Sequence, residues 1–367
     1  LSFKHENFEL LDWLNENMQK AKHNLASSGV EAPNLDEFGI ETNPNSLSGL
    51  RNVKLEESLG RVYGVPADEV LTCGGSTMSI FLSISSIVKS GDEVVIPMPN
   101  YPPEYKVPRV LGARVHEVST SYGNGFRLNV NSVLNAISKN TKLVILTNSN
   151  NPTGLKISRK DLEEIVHFAA KNEVLVFVDE TFREFADDPA PMARSFGDNV
   201  VVAGSMTKYY GLGDIRVGWL IAEKEIMERV RALNKWVSIE ISRMSYMIAI
   251  EALDKKKLFD ERTKAMTRQN MSLGREFVKN NSGWVEWVEP DGAPFGFPMG
   301  KMPISSIDLC KILIDEFGVL VSPGEFFEYP GHFRLCLTRS PEKTRLGLKA
   351  LSDALSKISK RNVSPNE

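Results

Sequence analysis

Two rhythms alternate along this chain. Residues 6–20 set Phe8, Leu11, Leu14 and Met18 three or four positions apart, the spacing of one helical face, and residues 24–33 then combine Asn, Ser, Gly and Pro as turns do. Helical spacing returns over residues 77–88 with Ile80, Phe81, Ile84 and Ile87. From there to residue 222, short aliphatic runs at 93–96, 142–146, 173–178 and 200–203 alternate with helical stretches. Strands that are apolar at every position bury both faces, and the helices between them supply crossovers. The pattern therefore predicts an α/β fold with a mostly parallel central sheet covered by helices. Ser158, just ahead of Leu162, Ile165 and Val166, predicts a capped crossover helix.

Beyond about residue 255 the character changes. A charged helical stretch at 254–262 leads into short strands and two amphipathic helices, which predicts a smaller α+β domain. Ser340 as N-cap and Pro341 at the first position open the last helix, with Leu348, Leu351, Leu355 and Ile358 turned inward. The expected division is a large domain over 43–255 and a small one made of 1–42 plus 256–367, with the N-terminal helix packed on the small domain.

Composition narrows the function classes. The 367 residues suffice for about two domains. Forty-four basic and 47 acidic residues leave a net charge of −3, so no overall field favours nucleic acid or an anionic membrane. No apolar run nears the roughly 20 residues that span a bilayer, and the first residues lack the basic-then-apolar order of an export signal. Cys73, Cys310 and Cys336 are odd in number, far apart and free of Cys-x-x-Cys spacing. Neither a disulfide framework nor a zinc site is expected, and a reducing cytoplasm suits them.

Chemistry concentrates where apolar runs end. Lys208 follows the run 200–203 in a loop rich in Gly and hydroxyl groups, a place where enclosure favours the neutral amine that attacks carbonyls. Asp179 ends the apolar run 174–178, where open α/β sheets present ligands, and a carboxylate there needs a cationic partner or serves as a helix cap. Gly74, Gly75, Ser76 and Thr77 meet a helix start, either as a simple cap or as a phosphate loop, since free N–H groups and the positive dipole end favour an anion. Asn151 opens an Asn-Pro-Thr-Gly turn. Tyr101 sits between prolines as a packing or a stacking ring. Arg334 starts a short apolar strand, as an edge-strand surface group or a carboxylate clamp.

In order and spacing, residues 73–77, 99–102, 151–154, 178–182 and 205–216 make the stretch from about 43 to 360 resemble the class I/II aminotransferases of fold type I, broadly the aspartate aminotransferase family. The resemblance implies pyridoxal 5′-phosphate as cofactor and a Schiff base on Lys208. The implied reaction moves an amino group from an L-amino acid to a 2-oxo acid through alternating pyridoxal and pyridoxamine forms, in a homodimer. It assigns Asp179 to the pyridine nitrogen and Tyr101 to the ring face. Gly75, Ser76, Thr77, Ser205 and Arg216 go to the phosphate, Asn151 to the cofactor's 3′-oxygen, and Arg334, with Asn151, to the substrate carboxylate.

Departures from the family pattern bear on the reaction. Phe182 stands where relatives usually carry a tyrosine that hydrogen-bonds the 3′-oxygen, and residues 43–46 lack the tyrosine that often reaches the partner subunit's phosphate. Another pyridoxal-phosphate reaction, β-elimination or oxidative chemistry, is the alternative on the same scaffold, and a non-catalytic cofactor-binding regulator is a second. Glu104, Tyr105, Trp236 and Arg243 are candidate pocket walls, with Arg243 either a distal-carboxylate group or a structural one.

Overall fold

Seven strands form the central sheet of the computed structural model, which describes residues 6–40, 52–238 and 240–362. In spatial order they are Val70–Cys73, Gly218–Ile221, Val200–Ser205, Leu175–Asp179, Thr141–Thr147, Glu93–Met98 and Arg114–Ser119. Gly218–Ile221 is antiparallel to both neighbours, and the other pairings are parallel, as the runs of aliphatic residues predict. Successive strand residues point to opposite faces. Val144, Leu146, Val176 and Val178 therefore join one core, with Leu162, Ile165 and Val166 of the helix Arg159–Lys171. Leu143, Ile145, Phe177 and Val201 join the other, with Ile80, Leu82 and Ile84 of the helix Ser76–Ile87.

Ser158 caps its helix as expected, its Oγ accepting from Asp161 N at 3.1 Å. Phe81, in contrast, is exposed, and Leu82 takes the buried place. Each residue turns a helix by about 100°, so a stripe through Ile80 and Ile84 carries Phe81 off the sheet.

Past residue 255 the chain first forms one long helix, Lys256–Asn280, which the charge of 254–262 concealed. Its inner face is Phe259, Thr263, Thr267, Asn270, Gly274 and Phe277, half of it polar. A three-stranded antiparallel sheet follows, with Phe333–Cys336 between Phe295–Gly296 and Ser322–Pro323. Helices Ser306–Phe317 and Pro341–Asn362 cover a second core, in which Leu348, Leu351, Leu355 and Ile358 are buried.

The N-terminal segment packs on this second core. Trp13 Nε1 donates to Val321 O at 2.9 Å, and His23–Asn24 pairs in parallel with Val319–Leu320. The inward face of the helix Glu9–Asn17 is Leu10, Trp13 and Asn17. Leu11 and Met18, expected to be buried, are exposed. The spacing of apolar residues there reports two neighbours: the core takes one side and a cleft takes another.

Register positions the site. Thr147 lies opposite Asp179, and Asp179 opposite Ala203, so two neighbouring parallel strands end level and the third runs two residues further, to Ser205. The segments that leave them carry Asn151, Asp179 and Lys208 to one edge of the sheet, where α/β folds bind ligands.

Candidate active site

A cleft of about 500 Å³ opens at that edge, lined on one side by Ser76, Thr77, Tyr101, Asn151, Asp179, Lys208, Arg216 and Arg334. Side chains drawn from the central sheet, the three-stranded sheet and the N-terminal segment thus meet in one volume, of the size that small ligands fill.

Lys208 follows the strand Val200–Ser205 after Met206 and Thr207. The N-terminal segment presses on it: Val30 N donates to Lys208 O at 3.0 Å, and a Cβ on Gly29 would come 2.9 Å from Thr207 O and 3.3 Å from Lys208 Cδ. Enclosure strips water from the amine, and Arg334 repels its charge; together they outweigh Asp179 and bring Lys208 down to about 8. An amine so placed is neutral in about a tenth of molecules at pH 7, several hundred times more than an ordinary lysine.

Asp179 and Arg334 are both buried, and each lacks a counter-ion among the described residues. Asp179 is 4 % exposed, its Oδ1 accepting from Thr181 N at 2.9 Å, and burial raises its pKa. Arg334, 2 % exposed on the central strand of the small sheet, donates through Nη1 to Asn151 Oδ1 at 2.8 Å and through Nη2 to Ala26 O at 2.9 Å, while its Nε finds no partner. Its Cζ also lies 5.1 Å over the Phe327 ring. A guanidinium has five N–H groups and accepts nothing, so Asn151 must present its oxygen to Arg334, which leaves its amide N–H groups to other partners.

The glycine-rich end of the cleft is built largely from backbone. Gly75 has φ of +95°, and a Cβ there would lie 2.5 Å from Arg216 Nη2. Arg216 itself takes a left-handed conformation, φ +52°, and its Nη2 donates to Gly74 O at 3.1 Å. No side chain caps the helix Ser76–Ile87, so its first N–H groups and the Ser76 and Thr77 hydroxyls stay with the cleft. Tyr101 precedes the helix Pro102–Val110 and meets Phe8 edge-on at 5.8 Å. Burial pushes its phenol up to about 12. Ser205 stands apart: it is buried at the strand end, its Oγ accepting from Thr207 N at 3.3 Å, outside the cleft lining.

These groups fit pyridoxal phosphate. A buried carboxylate without a cation suits a pyridinium nitrogen, a glycine that leaves room for a guanidinium suits a phosphate, and a lysine whose charge is disfavoured by burial suits an aldehyde. Buried hydroxyls without partners, Thr181 Oγ1 and Thr207 Oγ1, add unused polar capacity on the same walls.

The wall candidates separate. Trp236 is 90 % exposed, and Arg243 is exposed at the start of the helix Arg243–Asp254; neither lines the cleft. Tyr105 is buried, donating to Phe326 O at 3.2 Å, and Glu104 lies behind the cleft beside Asp179. The sequence pattern did not mark Phe8, Leu10, Leu11 and Leu14 of the N-terminal segment as walls, nor Thr147, Thr181 and Thr207. Leu11, apolar but outside the inward stripe, is the signal that could have found the first of them. The missing tyrosine of residues 43–46 lies outside the described residues.

This fold and cleft define a fold-type I pyridoxal-phosphate enzyme. A family model described as aminotransferase class I and II matches residues 15–351, and the chain belongs to that family. It is 27% identical to an aspartate aminotransferase of Streptomyces avermitilis over 80% of this chain and 76% of the relative. It is 25% identical to a capreomycidine synthase of Streptomyces vinaceus over 94% and 93%. A solved PLP-dependent aminotransferase from Streptococcus suis superposes with a TM-score of 0.91 at 25% identity, covering 100% of both chains. Among the described residues, no helix is long and apolar enough to cross a membrane.

Proposed function

We propose that this aminotransferase moves an amino group from an L-amino acid to a 2-oxo acid, with Lys208 as the residue that binds the cofactor aldehyde and carries the α-proton. The observation behind this reading is an arrangement of groups: a buried carboxyl, Asp179, and a buried guanidinium, Arg334, each without an ion-pair partner among the described residues, stand on the walls of a cleft that also holds an amine brought down to about 8. When bound, the cofactor supplies an aldehyde that captures amines and a ring that accepts the electron pair of the α-carbon. Asp179 holds the ring nitrogen in its protonated form, and Arg216, Gly75, Ser76 and Thr77 hold the phosphate. Ser205 supports that end from behind through Thr207. Asn151 offers N–H groups to the ring oxygen, and Tyr101 covers the ring face. Arg334 fixes the substrate carboxylate, so that the α-C–H bond faces Lys208, which takes the proton as neutral amine and returns it as ammonium.

We place the protein in the cytoplasm as a homodimer, divided into a large domain over 43–255 and a small one from 1–42 with 256–367. Three free buried cysteines accord with a reducing compartment. Borohydride reduction of the loaded protein should trap the cofactor on Lys208 by peptide mass mapping, and amino acid alone should convert it to the pyridoxamine form. An adduct on another residue would sink the reading.

Phe182 supports a second reading, a different pyridoxal-phosphate reaction on an amino acid. It is buried, lines the cleft and offers no hydroxyl to the ring oxygen. Release of a keto acid and ammonia, without the pyridoxamine form, would favour it.

A further inference from the structure

Behind Asp179 lies a second carboxyl that the proposed reaction does not use. Glu104, in the first turn of the helix Pro102–Val110, has no solvent exposure. Thr147, the strand-register partner of Asp179, hydrogen-bonds Glu104 Oε2 through its Oγ1 and so sets the two carboxyls side by side, whereas Glu104 Oε1 has no donor among the described residues. The groups facing this carboxyl are Asp179, Thr147, Asn100 and Tyr101; those facing Asp179 are Glu104, Thr181, Lys208, Tyr101 and Glu180. The only cation among them is the lysine already lowered by its surroundings. Two carboxylates side by side in a dry site cannot both ionise, because each pays for desolvation and repels the other; such pairs share a proton.

The surroundings decide which one keeps it. Asp179 accepts from Thr181 N at 2.9 Å and lies near the Lys208 amine, both of which favour its anion. Glu104 has only neutral donors at hand. We propose that Glu104 stays protonated at neutral pH and donates its hydrogen to Asp179, acting as a positioning residue that holds the pair at one negative charge and turns Asp179 toward the ring nitrogen. Burial and the adjacent carboxylate both raise Glu104 well above the usual carboxylate range, in agreement with that geometry. The function of this pair rests on Asp179 facing the cofactor ring; the shared proton itself does not.

Infrared difference spectra separate these two claims. The spectrum of the wild type minus Glu104→Gln, at neutral pH, should show a protonated-carboxyl C=O stretch with or without cofactor. No such band, in either state, overturns the proposal. Cofactor affinity supplies a second measurement: Glu104→Ala should weaken it on the order of tenfold, since a hydrogen bond to a charged group is lost. Glu104→Gln, which keeps an N–H donor, should largely retain it. Equal weakening in both variants overturns the donor role even where the band is present, and a failure of the wild type to bind cofactor overturns the proposed function while leaving the infrared result to stand.

Discussion

Arg334 Nη1 lies 2.8 Å from Asn151 Oδ1, a hydrogen bond between residues 183 positions apart. It joins the central strand of the small sheet to the loop that leaves Thr141–Thr147, so the proposed carboxylate clamp and the proposed ring contact set each other's orientation. Asn151→Ala should therefore impair substrate binding as well as cofactor geometry.

Replacing Arg334 by Lys keeps the charge and discards the planar fork. An ammonium cannot reach Asn151 Oδ1 and Ala26 O and still present two parallel N–H groups to a carboxylate, so kcat/KM for the amino donor should fall roughly thirtyfold or more, the equivalent of about 2 kcal/mol. Steady-state kinetics on the variant check this, and an unchanged value removes Arg334 from the substrate site.

Lys208 determines a pH profile. Because its amine is brought down to about 8, the neutral form grows as pH rises and saturates above that value. The rate at which cofactor-free protein captures pyridoxal phosphate should climb between about pH 6 and about pH 9 and then level. A rise that continues toward the ordinary lysine range, followed by stopped-flow absorbance, would show that the enclosure does not act on the amine.

Gly75→Ala should act on Arg216 before it acts on the fold. The new methyl meets a guanidinium tip 2.5 Å away, at the free end of a flexible side chain, and the φ of +95° adds strain. Displacement of Arg216 should weaken cofactor binding about tenfold, the loss expected for a charge-assisted hydrogen bond. Equilibrium dialysis against pyridoxal phosphate measures it.

Phe182→Tyr should lower the pH midpoint of the bound cofactor's absorbance titration. The ring is buried and meets Phe295 edge-on at 4.9 Å, so a hydroxyl added at its tip gains a donor close to the cleft. An unmoved or raised midpoint would refute the idea.

Much of this site was legible because strand ends declare themselves: an apolar run that stops at Asp179, or just before Lys208, marks both a buried strand and the polar residue exposed at its edge. The register of the three strands came from the structure alone. Glu104 was harder to read, since a carboxylate in a proline-rich helix start looks solvated until the fold removes its water. Arg334 was legible as a strand residue, but its central place in the sheet depends on pairing with residues 295–296 and 322–323. The long helix Lys256–Asn280 hid behind its charges, because threonine, asparagine and glycine make up much of its inner face. The N-terminal helix misled for the opposite reason: its apolar residues serve two environments, and spacing alone assigns them to one.

Gly29 and Val30, far from any reacting atom, bear on how this protein can be handled. Their backbone is stacked directly onto the turn that carries Lys208, with Val30 N bonded to Lys208 O. A change that pulls residues 23–30 out of place would impair the enzyme without removing one functional group.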